Sequence, residues 1–255
     1  MNTLRTANHK RCMLSALLAA LVFLSAGCAT KKENLHPGDP FEPTNRAMFR
    51  FNEKLDQVVM KPVAQTYVKV VPDHVRQGVR NFLGNVDDSW SFVNALLQNK
   101  REVAGQNLGR VLVNSFIGIG GIFDVASEAG IERQSEDLGQ TLAVWGVPRG
   151  PYLVLPFFGP STVRDGAGQA VWMVVNPLQA ASDDVGYTAL GLRAVDSRAQ
   201  LLDVDTIVGD SVSDRYSFLR SAYLQRRDYQ IRDGQREPEM EFEEDAADTA
   251  SPVKK

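Results

Sequence analysis

Residues that do chemistry are sparse in this 255-residue chain, and few stand at a working distance from one another. Beyond the first thirty residues there are two histidines, His36 and His74. A zinc site needs a cluster of ligands at suitable spacing, and no HExxH or CxxC is present. A GxSxG nucleophile turn and a Walker-type lysine loop are also missing. Gly118-Ile119-Gly120-Gly121 has the glycine density of a phosphate cradle, but it follows a helical pattern rather than a strand and its neighbours are apolar. The carboxylate pairs Asp87-Asp88 and Asp183-Asp184 stand where helix caps are expected. Arg226-Arg227-Asp228 reads as the solvated face of the last helix. Three charges sit against apolar, glycine-rich chain: Asp124 in an apolar bend, and Arg164 and Asp165 directly after an apolar loop. They read as satisfied structural pairs or, on the sharper reading, as the polar lining of a passage. A hydrolase would need a base, and His74 is the one histidine in a folded region. The chain therefore reads as a non-enzyme with no metal or cofactor.

One cysteine is placed for modification. Arg5, Lys10 and Arg11 form a positive start, and Met13 to Phe23 is almost wholly apolar, the length of a signal-peptide core and too short to span a bilayer. Leu24-Ser25-Ala26-Gly27-Cys28 follows, small residues before a cysteine, similar to a bacterial lipobox. Residues 1–27 are then a removed signal peptide. Cys28 becomes the first residue of the mature chain, carrying a diacylglycerol thioether and an N-acyl chain. A single acyl chain binds a membrane marginally, whereas several hold firmly. The leader takes Cys12 with it, so no disulfide is available and packing alone must hold the fold.

Loss of the leader leaves a formal charge near −6, much of it in a run of acidic residues from Glu237 to Asp248. The body is close to neutral and offers no basic field for nucleic acid.

The elements that must position the candidate residues are helical. Residues 28–43, rich in proline, read as a lipidated tether; 44–232 read as one helical domain; 233–255 read as an acidic disordered tail. Met48, Phe51, Leu55, Val58 and Val59 give a helix that Pro62 interrupts. Val75, Val79, Phe82, Val86, Trp90, Val93 and Leu97 keep helical steps, with Gly84-Asn85 expected to break them into two helices and Asp87 or Asp88 to cap the second. Leu108, Val111, Leu112 and Phe116 mark one side of a helix from Arg101 to Phe116. Ser161 is placed to cap a helix running to Val175, which Asn176-Pro177 ends. Further helices are expected from Asp184 to about 207 and from Ser213 to about 232.

Gly146 to Pro160 breaks the pattern. It carries four prolines and three glycines in fifteen residues, so it is no helix, yet Tyr152, Leu153, Val154, Leu155, Phe157 and Phe158 are apolar. An apolar loop must be buried, face a partner or face lipid. No run after Cys28 is long enough to cross a bilayer.

Several strings are similar to one family, the MlaA (VacJ) lipoproteins. They are Asp39-Pro40-Phe41-Glu42 with Asn45 to Asn52, Lys61 to Ala64, Asn81 to Asn85, Asn114 to Ala126, Gly139 to Gly146, Gly150-Pro151-Tyr152, Leu155-Pro156, Gly159-Pro160, Arg164-Asp165, Arg198 to Asp203 and Tyr223 to Asp228. They run in order from 39 to 232. The resemblance implies a mostly α, ring-like helical domain with an amphipathic pore, embedded in or on one leaflet of the outer membrane. It implies removal of misplaced phospholipids from the outer leaflet, their transfer to a periplasmic MlaC-like carrier, association with porin trimers and no covalent chemistry. The resemblance implies a mobile hairpin near the pore, expected here at Gly146, Gly150, Pro151, Tyr152, Pro156, Phe157, Gly159 and Pro160; with charge set against apolar, glycine-rich chain, this loop is expected to gate a passage with Asp124, Arg164 and Asp165 near its polar lining. The alternatives are an envelope-structural lipoprotein that stabilises porins, and a lipid hydrolase.

Overall fold

The computed structural model describes residues 38–203 and 214–234. The leader, Cys28, most of the tether and all but the first residues of the acidic tail lie outside them.

The first helix, α1 (Glu42–Leu55), has Pro43 in its opening turn, where the missing N–H costs nothing. It runs through a π-helical stretch, Asp56–Met60, into α2 (Lys61–Val70). Pro62 does not end the helix as expected, because it falls in the first turn after the π stretch and the wider turn absorbs its lost hydrogen bond. The fold also begins earlier than residue 44. Asp39, expected in the tether, is fully buried. It accepts from Asn45 Nδ2 at 3.0 Å and from the Tyr216 hydroxyl, so the chain is anchored before α1 starts.

Helix α3 (Asp73–Leu97) is unbroken, which corrects the expected division at Gly84-Asn85. Gly84 is present to make room: a Cβ there would lie 2.5 Å from a guanidinium nitrogen of Arg133. Asn85 donates to Ser115 Oγ at 3.0 Å on α4 (Arg101–Phe116). Neither residue frees the backbone, and Asp87 and Asp88 cap nothing. After α4 the Gly118–Gly121 bend is a packing device. A Cβ on Gly118 would strike the Phe123 carbonyl at 2.2 Å, and Gly121, at φ +92°, lies against Asn85. The bend leads into the short α5 (Val125–Glu128), which Asp124 caps.

Helix α6 (Leu138–Val144), capped by Asp137, precedes the proline-rich segment. That segment is a hairpin: β1 (Tyr152–Leu155) pairs antiparallel with β2 (Gly159–Thr162), Tyr152 opposite Thr162 and Leu155 opposite Gly159. Phe157, at φ +68°, turns it. The strand runs on through Thr162, so α7 (Val163–Val175) starts later than expected and its cap is Thr162, whose hydroxyl accepts from the Asp165 N–H, one residue beyond the expected Ser161. Asn176 caps α8 (Pro177–Ala181), and Ser182 rather than Asp183 or Asp184 caps α9 (Asp183–Gln200). The two aspartates fill the first turn of α9, where the helix dipole favours them. The last helix, α10 (Arg215–Ile231), is capped by Asp214.

Contacts between elements close on themselves: α1 through the π stretch to α2, then α9, α8, α7, β1 and α1 again. Helix α3 packs on α4, α6 and α9, and α10 covers α6 and β2. The expected mostly helical, ring-like architecture is what the chain adopts. Among the described residues no helix is long and apolar enough to cross a membrane.

Burial is inverted. On α3 and α4 the buried side chains are mostly polar, Asn85, Asp88, Ser91, Asn94, Asn107, Arg110 and Asn114, and the apolar ones are Leu83 and the small Ala95 and Ala104. Leu96, Leu97, Leu112 and Phe116 point outward on the same two helices, Phe116 being 82% exposed. The apolar cluster around Tyr152, Val154 and Tyr216 is small. Large apolar side chains left outside a polar interior are the reverse of a water-soluble packing, and an apolar surface on this scale marks an interaction site.

Candidate functional site

Two cavities lie end to end along α3. The larger, about 1160 Å³, is lined mainly by apolar side chains, among them Val75, Val79, Phe82, Ile122, Val185 and Leu192. It exceeds the ~300–1,000 Å³ usual for small-ligand pockets. Asp124, Ser127, Glu128 and His74 supply polar edges. The smaller, about 290 Å³, is lined by Asp87, Trp90, Glu136, Asp137, Asp165, Trp172, Arg193 and Arg227 among others. Trp90 and Trp172 stack at 5.1 Å between ring centroids, interplanar angle 27°, forming a flat wall.

The three charges expected as a polar lining separate. Asp124 lines the large cavity, Asp165 the small one, and Arg164 neither. Asp124 belongs to a buried network. Arg110, fully buried, gives Nη2 to both Asp124 oxygens at 2.8 and 3.0 Å and Nε to Asp88 at 3.0 Å. Arg133 Nε reaches the other Asp88 oxygen at 2.9 Å, over Gly84. Asn114 and Ser127 also donate to Asp124. Burial works to raise the Asp124 pKa, but the hydrogen bonds from Ser127, Asn114 and Arg110 outweigh it and hold the group down at about 2. Asp88, deeper, goes the other way: desolvation pushes it up despite Arg133 and Arg110.

Asp165 anchors a second network. It accepts from Arg227 Nη2 at 3.1 Å, Tyr223 Oη at 2.9 Å and Arg164 Nε at 3.2 Å. Arg227 grips Asp137 with both Nη atoms at 2.6 Å. Desolvation opposes the charge on Asp165, and the Arg227 guanidinium overcomes it, so its pKa falls. Gly139 makes the space: a Cβ there would lie 2.3 Å from Arg227 Nη2. Arg227 was expected on a solvated face and is instead buried, because it continues the inward stripe of Tyr216 and Tyr223 along α10.

The hairpin expected as a gating loop sits beside the small cavity, into which Pro160 projects. Its residues divide in environment. Tyr152 and Val154 are buried, whereas Gly146 and Gly150 at one end and Phe157 at the tip are exposed. Tyr152, desolvated and near Asp39, has its hydroxyl pushed up to about 12.

Sequence reasoning missed Arg110, Arg133, Arg193 and Arg227. A signal was available in polar stripes at helical spacing, Asp88-Ser91-Asn94 and Asn107-Arg110-Asn114, which mark a polar face as surely as leucines mark an apolar one. Cys28 lies outside the described residues. Among the described residues no cluster of His, Cys, Asp and Glu could hold a metal ion.

A family model described as MlaA lipoprotein matches residues 37–230. The chain is 35% identical over 231 residues to the intermembrane phospholipid transport system lipoprotein MlaA of Escherichia coli K12, covering 89% of this chain and 91% of that one. It is 31% identical over 237 residues to the protein of the same name from Haemophilus influenzae, covering 87% and 91%. A solved structure reported under the words "Structural basis for maintenance of bacterial outer membrane lipid asymmetry" superposes with a TM-score of 0.69 at 34% identity, covering 76% of this chain and 98% of that one. The chain belongs to the MlaA lipoprotein family.

Proposed function

We propose that this member of the MlaA lipoprotein family takes phospholipids misplaced in the outer leaflet of the outer membrane and passes them to a periplasmic carrier of the MlaC kind, so keeping the membrane asymmetric. The names of its relatives support phospholipid transport. The observation that carries the reading is the inverted burial: arginine, aspartate and asparagine inside, phenylalanine and leucine outside. Such a body suits the hydrocarbon of one leaflet, and its polar interior can shelter a head group that bare hydrocarbon would reject at a cost of several kcal/mol.

On this reading residues 1–27 are the removed leader and acylated Cys28 holds the protein at the periplasmic side of the outer membrane. Asp124 and Asp165 contribute to the polar lining, Arg164 holds Asp165 from behind, and the Gly146–Pro160 hairpin opens and closes beside it. Porin trimers are the expected neighbours in the membrane. The reaction is binding and transfer, with no bond made or broken.

The test compares surface-exposed phospholipid in cells with and without the chain. Deletion raises it and re-expression of the wild type lowers it again. Unchanged outer-leaflet composition overturns the reading.

A further inference from the structure

The two cavities meet at one ion pair. Asp87 and Leu83 are a turn apart on α3, and Arg193 and Leu192 are adjacent on α9; Leu83 and Leu192 line the apolar cavity, Asp87 and Arg193 the polar one. Arg193 Nη1 bonds Asp87 Oδ2, and Nη2 donates to the Leu83 carbonyl at 3.3 Å. Unlike Arg110 and Arg227, this pair is open: the two side chains are 34% and 35% exposed. A partly solvated pair contributes little net stability, so a ligand carrying both charges can displace it at small cost.

Resting on the transport reading above, we propose that Arg193 and Asp87 form a head-group exchange site that selects a zwitterionic phospholipid of the ethanolamine type. The acyl chains occupy the large apolar cavity, the phosphate takes Arg193, and the ammonium takes Asp87. Two observations support the assignment. The apolar and polar volumes adjoin at this pair, as the two ends of a phospholipid require. Asp87 has Arg193 as its one cationic partner among the described residues, whereas Glu136 is held by Lys100, Asp137 by Arg227 and Asp165 by Arg164 and Arg227, so a phosphate that takes Arg193 leaves Asp87 for an ammonium.

The experiment incubates the full acylated chain, purified in mild detergent, with vesicles of equal phosphatidylethanolamine and phosphatidylglycerol, and reads bound lipid by mass spectrometry. The wild type retains phosphatidylethanolamine at least threefold over its share. Asp87→Asn brings the ratio down to that of the vesicles. Arg193→Gln lowers both lipids at least fivefold, and Arg193→Lys recovers most of the loss. The exchange variant, Asp87→Arg with Arg193→Asp, keeps a pair clipping α3 to α9 and so guards against a folding artefact; it loses the preference. If the exchange variant matches the wild type, or if Asp87→Asn leaves the ratio and Arg193→Gln leaves the total unchanged, the pair is only a clip between helices and the proposal fails. A wild type that retains no phospholipid of either kind overturns the transport reading itself, and the two failures are told apart by that arm.

Discussion

Asn45 and Asn52 stand two helical turns apart on α1 and grip the hairpin with the same pair of bonds. Asn45 Nδ2 donates to the Tyr152 carbonyl at 3.0 Å while its Oδ1 accepts from the Val154 N–H at 2.9 Å. Asn52 does the same three residues on, to the Leu155 carbonyl and from the Phe157 N–H, both at 2.9 Å. Seven helical residues rise about 10.5 Å, and three strand residues span about 10 Å, so the two side chains act as rungs of a missing strand. Asn45→Ala orphans two buried backbone groups and costs about 2–3 kcal/mol. Asn52→Ala, at the exposed tip, costs about 1 kcal/mol. Denaturant midpoints check the order, and faster exchange of the Phe157 amide in Asn52→Ala checks the cause.

If the hairpin gates, holding its tip stops transport. Phe51 and Phe157 meet edge to face at 5.8 Å. Cysteines at those two positions, oxidised, are expected to raise surface-exposed phospholipid to the level of the deletion, and reduction is expected to restore the wild-type level. Equal levels in the oxidised and reduced states contradict gating.

Arg110 neutralises Asp88 and Asp124 together, and its side chain is fully buried. Arg110→Met keeps the volume and leaves two carboxylates facing one another, a loss of about 3–5 kcal/mol. Thermal or chemical unfolding in detergent reads it directly.

The Asp124 pKa of about 2 lies below its unfolded value of 3.8. The stability it contributes is therefore complete above about pH 4 and is lost as pH falls towards 2, an effect of about 2–3 kcal/mol. Asp124→Asn removes this acid limb; Asp88, raised in the fold, opposes it, since protonating Asp88 favours the native state. Stability measured from pH 6 to pH 2 in wild type and Asp124→Asn shows a shallower fall in the variant.

His74 lines the apolar cavity and is the one histidine among the described residues. In a transporter His74→Ala leaves outer-leaflet phospholipid as in the wild type. A collapse of lipid turnover in that variant supports the hydrolase alternative.

The sequence was legible wherever local rules decide. The helices from Arg101 to Phe116 and from Ser161 to Val175 and the hairpin at Gly146–Pro160 follow periodicity, capping and proline content. The stripes of valine and leucine were also visible, but which way they face depends on the solvent, and only the packed helices show that Asn94, Asn107 and Arg110 turn inward. The break expected at Gly84-Asn85 failed for a long-range reason: the space at Gly84 belongs to Arg133, 49 residues on, which no local pattern reports. Arg227 failed likewise, since its partners Asp137 and Asp165 come from other elements.

The central claim is that the outward phenylalanines and leucines face lipid. If Cys28 carries the acyl anchor, the full chain with Cys28→Ser lacks it, and any remaining affinity belongs to that surface. Flotation of this variant with phospholipid vesicles in the absence of detergent tests it most directly. The account predicts that most of the protein floats and that the remainder self-associates. A monodisperse monomer that stays in the aqueous fraction would contradict it.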